Sequence, residues 1–256
     1  MLQKALPKFE VALARDAGSI AASQRLRYEV FVEELGSDGP LVDHTNRLEK
    51  DRFDEVCEHL LLYDRANRTS EVVGVYRLMP PDRFASFGRY YSEGEYDLAP
   101  LMSSGRRLLE LGRSCLHADY RGGAAMHHLW QGLAQYIEAN RIELLFGVAS
   151  FHGADASAHA EPLSLLHQNY LAPASVRPRA LPEGFFEMNQ HRPDQIDRVR
   201  AMRAMPQLIK AYLRLGGMVG DGAFQDKVFN TTDICMILDT AKIGPKQRAR
   251  LTEVRA

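Results

Sequence analysis

Leu108-Leu-Glu-Leu-Gly-Arg-Ser-Cys-Leu116, the turn Asp119-Tyr-Arg-Gly-Gly-Ala-Ala125 and the stretch Met126–Ile137 decide how this chain is read. The first is an apolar run of strand length, and Gly112 inside it predicts a bulge or a close backbone approach. In the third, Met126, Leu129, Trp130, Leu133 and Ile137 fall on one face of a helix that Asn140 can close. Glu143–Phe151 then reads as a buried strand. Strand, glycine turn, helix, strand is a βαβ unit. Glycines at a helix start leave backbone N–H groups free, and the helix dipole favours an anion there. Many such turns carry glycine for shape alone, so a phosphate seat and a plain turn both stay open.

Working outward, Ser19–Leu35 reads as a helix capped by Ser19 and ended by Gly36, with Leu26, Val30 and Phe31 as its apolar stripe. Asp51–Glu58 reads as a helical or turn segment. His59–Asp64 and Val72–Met79 form a hairpin around the polar turn Asp64–Ser70. Pro80–Ser104 is irregular. Residues 152–205 hold Pro162, Pro173, Pro178, Pro182 and Pro193 and read as an insertion that forms a lid or part of a pocket. Pro206 suits the first turn of a helix to Arg214, which Gly216 and Gly217 end. Met218–Gln225 and Thr232–Asp239 read as the last strands, before a basic tail over 240–256. The expectation is one α/β domain over 1–256, a mixed central sheet flanked by helices.

Composition narrows the function. Lys plus Arg number 32 against 33 Asp plus Glu, which argues against a dedicated nucleic-acid binder. Cys57, Cys115 and Cys235 make no CxxC, so a reduced, cytoplasmic chain is expected. The histidines show no zinc-ligand spacing, and no metal site is expected. Met1–Glu10 has no signal-peptide pattern, and Leu144–Phe151 is too short to span a bilayer. Any membrane contact is therefore peripheral, at the inner face.

The order of elements and the place of the glycine turn resemble the GNAT acyltransferase superfamily. Arg121-Gly-Gly-Ala-Ala-Met126 stands where that family carries Gln/Arg-x-x-Gly-x-Gly/Ala. The resemblance implies that a donor's pantetheine arm lies along Ser114, Cys115 and Leu116, with phosphate on Arg121, Gly122 and Gly123. A carrier-protein donor, with its single phosphate, needs less of that cradle than coenzyme A does. Leu26-Arg-Tyr-Glu-Val-Phe-Val32, Asp51-Arg-Phe-Asp54, Gly74-Val-Tyr-Arg77 and Glu110-Leu-Gly-Arg113 are similar to the ordered motifs of acyl-homoserine-lactone synthases.

Across the whole chain, Glu110–Cys115, Phe146–Gly153, Glu187-Met-Asn189, Ala204–Gly216, Gly220–Ala223 and Phe229–Asp233 resemble the L-ornithine Nα-acyltransferases of ornithine-lipid synthesis. That resemblance implies no permanently bound cofactor. It implies a 3-hydroxyacyl donor on the 4′-phosphopantetheine of acyl carrier protein, the α-amine of L-ornithine as acceptor, and a lyso-ornithine lipid as product. Glutamine or another amino acid as acceptor, homoserine-lactone formation from S-adenosylmethionine, and a non-catalytic carrier-protein or lipid-binding module are the alternatives. Asp51, Asp54, Arg77, Glu110 and Arg113 standing together favour an enzyme.

These residue types suit thioester aminolysis. The attacking amine must be neutral, and a carboxylate can take its proton. Backbone N–H groups of an irregular strand can hold the oxyanion. Glu110 is the first candidate for the base or for holding the acceptor, with Asp54 and Arg77 as further catalytic candidates. A bulge at Gly112 would bring Glu110 and Arg113 to one side. Asp51 and Asp54 share a face if helical and suit a cationic acceptor. Arg27 and Phe31 lie one turn apart; Arg27 suits orienting a substrate carboxylate or holding a catalytic aspartate, and Phe31 suits lining the acyl pocket or plain core packing. Ser150 and His152, just past a strand end, lie where an acceptor would enter. An inward Arg77 needs a partner among Asp51, Asp54 and Glu110. Acyl carrier protein is acidic, so Arg106, Arg107, Arg113, Arg121 and the basic tail are its expected docking residues. The tail also suits anionic lipid.

Overall fold

The structure is a computed structural model that describes residues 6–66, 71–244 and 247. In chain order it runs β1 (Phe9–Leu13), α1 (Ala17–Arg27), β2 (Glu58–Asp64), β3 (Val72–Met79), α2 (Pro81–Phe87), β4 (Tyr96–Asp97), α3 (Ala99–Met102), β5 (Leu108–Leu116) and α4 (Ala125–Ala139). It continues with β6 (Leu144–His152), α5 (Ala160–Tyr170), β7 (Arg179–Ala180), β8 (Phe185–Phe186), α6 (Arg198–Ala204), α7 (Gln207–Arg214), β9 (Met218–Val219), β10 (Ala223–Asp226) and β11 (Thr231–Asp239). The chain is a mixed α/β protein of two compact units. Met1–Arg83 and Leu111–Arg141 belong to the first, and Phe84–Glu110 and Ile142–Gln247 to the second.

In the first unit β1, β2 and β3 form an antiparallel meander. Leu111–Leu116 of β5 follows β3, and the His117 N–H donates to the Val73 carbonyl at 3.0 Å. Helix α1 packs on β2 and β3, and α4 packs on β1, β2 and β3. Leu26, Val30, Leu61, Val75 and Cys115 make a buried cluster against which Phe31, Tyr63 and Val72 pack. Strand β1, unforeseen in the sequence, lies so near α4 that a Cβ on Gly132 would stand 2.3 Å from Val11 Cγ1. The first helix is capped by Asp16, not Ser19. The Asp16 carboxylate accepts from the Ser19 N–H at 2.8 Å, and Ser19 returns the bond in a capping box. The expected helix also changes winding, because Tyr28–Glu34 is π-helical before Gly36 ends it with a positive φ. The expected hairpin turn lies partly outside the described residues.

In the second unit, Leu108–Glu110 of β5 pairs in parallel with Leu144–Phe146 of β6. Strand β11 runs antiparallel along β6 from Asp239↔Leu144 to Thr231↔His152, followed outward by β10 and β8. One parallel pairing among antiparallel ones makes a mixed sheet. Helix α7 packs on β11 and α5 on β9. Residues 152–205 carry α5, β7, β8 and α6, and Leu163, Leu166 and Met188 are buried. The expected strand Met218–Gln225 is two strands, β9 and β10, because Gly220-Asp-Gly222 breaks it. At Gly222, φ is +77 and a Cβ would meet the Phe185 ring at 2.3 Å. Pro206 precedes the first turn of α7 instead of opening it. Apart from Gln247, the tail beyond Gly244 lies outside the described residues.

Candidate active site

The first unit buries a balanced set of three arginines and three carboxylates. Arg27, with no exposed surface, donates from Nη1 and Nη2 to Asp54 at 2.7 and 3.1 Å and also pairs with Glu49. Arg77 donates from Nη1 to Asp51 at 2.6 Å and to Asp54 at 2.9 Å. Arg113 donates from Nε to Glu49 at 3.1 Å and from Nη2 to Asp51 at 2.9 Å. The network alternates in sign, so each charge is compensated where water is scarce. Burial pushes the Asp54 carboxyl up, yet the Arg27 and Arg77 charges outweigh that and hold it well below the ordinary carboxylate range. Glu49 and Asp51 are lowered in the same way against burial. Asp54 is thus a fixed anion. Asp51 and Arg113, both half-buried, form the accessible rim.

The backbone places these groups. Asp51 and Asp54 sit on a turn in which the Asp51 carboxylate accepts from the Phe53 N–H at 2.8 Å. No close backbone approach marks Gly112, since nothing lies within 4 Å of a Cβ built there. Arg113 takes the left-handed conformation, at φ +49, and so reaches Glu49 and Asp51. A non-glycine residue in that region costs about 1–2 kcal/mol. His59 completes the floor. Its Nδ1 lies 3.1 Å from Ser23 Oγ, and burial lowers its pKa, keeping the ring neutral. Glu49 and His59 escaped the sequence reading. Glu49 lies two residues before the Asp51–Asp54 motif, the one local signal that pointed to it.

The candidate donor segment lies in the same unit. Ser114 Oγ is buried with no hydrogen-bond partner. Cys115 and Leu116 face the core, and burial pushes the Cys115 thiol up to about 12, so it stays protonated and is no nucleophile. Gly122 is left-handed, at φ +74, with open space beside it. Arg121 grips both oxygens of Glu34 and donates from Nε to the Leu116 carbonyl at 3.1 Å.

The second unit holds Glu110, buried, whose two oxygens accept from the Tyr91 and Ser92 N–H groups at 2.9 and 2.7 Å. Ser150 and His152 are exposed near the end of β6, in register with Asp233 and Thr231 of β11. Among the described residues, the Glu95, Asp226 and Asp233 carboxylates are the one set of three side chains close enough to share a cation. An acidic residue in the apolar strand Thr231–Asp239 was its only sequence signal. Arg106 is bidentate to Asp239, at 2.9 and 2.8 Å.

Residues 26–131 match the family model of the acetyltransferase (GNAT) domain. The solved N-acyl amino acid synthase FeeM, from uncultured soil microbes, superposes with a TM-score of 0.54 at 12% identity, over 93% of this chain and 95% of that one. The homoserine-lactone synthase LasI gives 0.51 at 16%, over 98% and 99%. The fold is thus of the GNAT type, and the ion-pair network lies within the matched span. It is 56% identical, over 94% of its length, to the L-ornithine N(alpha)-acyltransferase of Rhodobacter capsulatus, covering 93% of that protein. The enzyme of that name from Brucella abortus is 42% identical, over 93% of this chain and 86% of its own. The chain belongs to the L-ornithine N(alpha)-acyltransferase family.

Proposed function

We propose that this enzyme transfers a 3-hydroxyacyl group from the 4′-phosphopantetheine thioester of acyl carrier protein to the α-amine of L-ornithine, giving a lyso-ornithine lipid. The observation that carries the reading is the match, over nearly the whole chain, to enzymes named for that acceptor. The α-amine attacks the thioester carbonyl, the tetrahedral oxyanion collapses, and the pantetheine thiolate leaves. An α-amino group has a pKa near 8, so a sizeable neutral fraction exists at physiological pH and a strong base is not needed. Glu110, its carboxylate positioned by the Tyr91 and Ser92 N–H groups, takes or holds the amine proton. Asp54, Arg77 and Arg27 hold the Asp51–Arg113 rim in place, and that rim orients substrate. Phe31 lines the acyl chain. Ser114 and the Arg121-Gly-Gly turn receive the pantetheine arm and its phosphate; for that, Arg121 exchanges Glu34 for the donor.

No helix of the described residues is long and apolar enough to cross a membrane. A cytoplasmic enzyme that touches the inner membrane face to release its amphiphilic product fits this reading. The test is to incubate 3-hydroxyacyl carrier protein with ornithine labelled with 15N at the α-amine and to locate the amide by mass spectrometry. An α-amide is expected. A δ-amide, or none, overturns the proposal. Glu110→Gln is expected to lower kcat by about 10²-fold, the low end for proton-transfer groups, with little change in donor KM. An unchanged kcat removes Glu110 from the chemistry.

A further inference from the structure

We infer that Asp233, Asp226 and Glu95 form the seat of the acceptor's side-chain ammonium and so select a diamino acid over neutral amino acids. This rests on the acyl-transfer reading above and names the residues that determine its specificity.

Oxygens of the three carboxylates all lie within 4.8 Å of one another. Three oxygens no farther apart than that lie within about 2.8 Å of a common centre, inside the reach of an N–H···O bond from an alkylammonium. An ammonium group has three donors, one for each carboxylate. Asp233 gives a second and separate sign that something belongs there. It is 3% exposed, its Oδ2 accepts from the Thr231 hydroxyl at 3.0 Å, and its Oδ1 is buried with no hydrogen-bond partner. A buried carboxylate oxygen without a donor is costly, and a ligand that brings one removes the cost. None of the described ion pairs involves Asp226 or Asp233. The Asp226 Oδ1 accepts from the turn N–H groups of Val228 and Phe229, at 2.7 and 3.0 Å. Burial pushes the Asp233 carboxyl up to about 6, which a bound cation would reverse.

The surroundings suit an amino acid more than a stray ion. Tyr96, from β4, shares its one hydroxyl hydrogen between the Asp233 carbonyl at 2.9 Å and the Gly222 carbonyl at 3.1 Å, fixing the strand that carries the seat. Exposed Ser150 is in register with Asp233 on the neighbouring strand, which gives the seat a way to the surface. Glu95 and Glu110 both raise the pKa of the buried Cys235 thiol, so the seat and the carboxylate assigned to the amine proton bear on one small region of the second unit.

The test compares ornithine with norvaline, which has the same carbon chain and no δ-amine, as acceptors for the full-length enzyme and for Asp233→Asn and Asp226→Asn. The ratio of kcat/KM for ornithine to that for norvaline is expected to be large in the parent. It is expected to fall at least tenfold in each variant. A ratio comes from one enzyme sample, so partial misfolding cancels, and the half-buried Asp226 serves if Asp233→Asn does not fold. A parent that acylates ornithine, with variants that keep its ratio, overturns the ammonium seat and leaves the acyl-transfer reading standing. A parent that acylates neither amino acid overturns both. Activity lost to EDTA and restored by Mg2+ or Mn2+ assigns the three carboxylates to a metal and overturns the inference.

Discussion

Arg27 and Asp54 show how the candidate site is held at the scale of single residues. Each is buried, and each meets two opposite charges. Removing one partner of a buried pair strands the other, at about 3–5 kcal/mol. Arg27→Ala should therefore lower stability by that amount in a denaturant titration, and a loss under 1 kcal/mol would show that the network is not closed. The pH dependence follows from the same charges. The Asp54 pKa in the folded state is depressed below its unfolded value, so its contribution is complete above about pH 4 and is lost as pH falls further. Asp233 runs the other way. Its folded pKa is raised to about 6, so the folded protein carries an electrostatic penalty that grows as pH rises from about 4 to 6 and is full above that. The Thr231 hydroxyl bonds to it, and Ser150, Glu95 and Asp226 face it. Asp233→Asn is accordingly expected to raise the Tm by about 2–6 °C at pH 8, with the gain shrinking at pH 5. A lower Tm at pH 8 would show that Asp233 is favourably paired in its charged form.

At the scale of elements, β3 and β5 have the bounds that their apolar runs predict, and the periodicity of Met126–Ile137 marks α4. These elements carry their own pattern and their own stops. Strand β1 does not. Phe9–Leu13 is short, and only pairing with β2 makes it a strand. The π-helical winding of Tyr28–Glu34 was equally illegible, because the apolar stripe of a helix hardly changes when its hydrogen bonds lengthen by one residue. Candidate residues fared by distance. Arg27, Asp51, Asp54, Arg77 and Arg113 fall in short motifs, and the fold brings them together. Glu95 and Asp233 are far apart in the chain, and nothing local ties them. Gly132 tests the α4–β1 contact. Alanine favours a helix by about 1 kcal/mol over glycine, yet a Cβ there meets Val11 at 2.3 Å. Gly132→Ala should be net destabilising by about 1–2 kcal/mol, read by chemical denaturation. A stabilised variant would mean that β1 does not press on α4.

For the whole molecule, net charge is −1, so any attraction for an acidic carrier protein must come from local patches. Of the expected docking arginines, Arg106, Arg113 and Arg121 already hold carboxylates. Arg121 is the exposed one beside the donor turn, and Arg121→Glu should raise the donor KM roughly tenfold at low salt, with the effect shrinking near a Debye length of about 8 Å at physiological ionic strength. A donor KM that matches the parent at every salt concentration would move the docking face elsewhere. The claim beneath all of this is the identity of the acceptor. Thiol release from 3-hydroxyacyl carrier protein, measured with ornithine, glutamine, lysine and S-adenosylmethionine offered separately and the products weighed, tests it most directly. Release that depends on ornithine and yields its mono-amide is the predicted result. Release that depends on glutamine or S-adenosylmethionine and not on ornithine would contradict it.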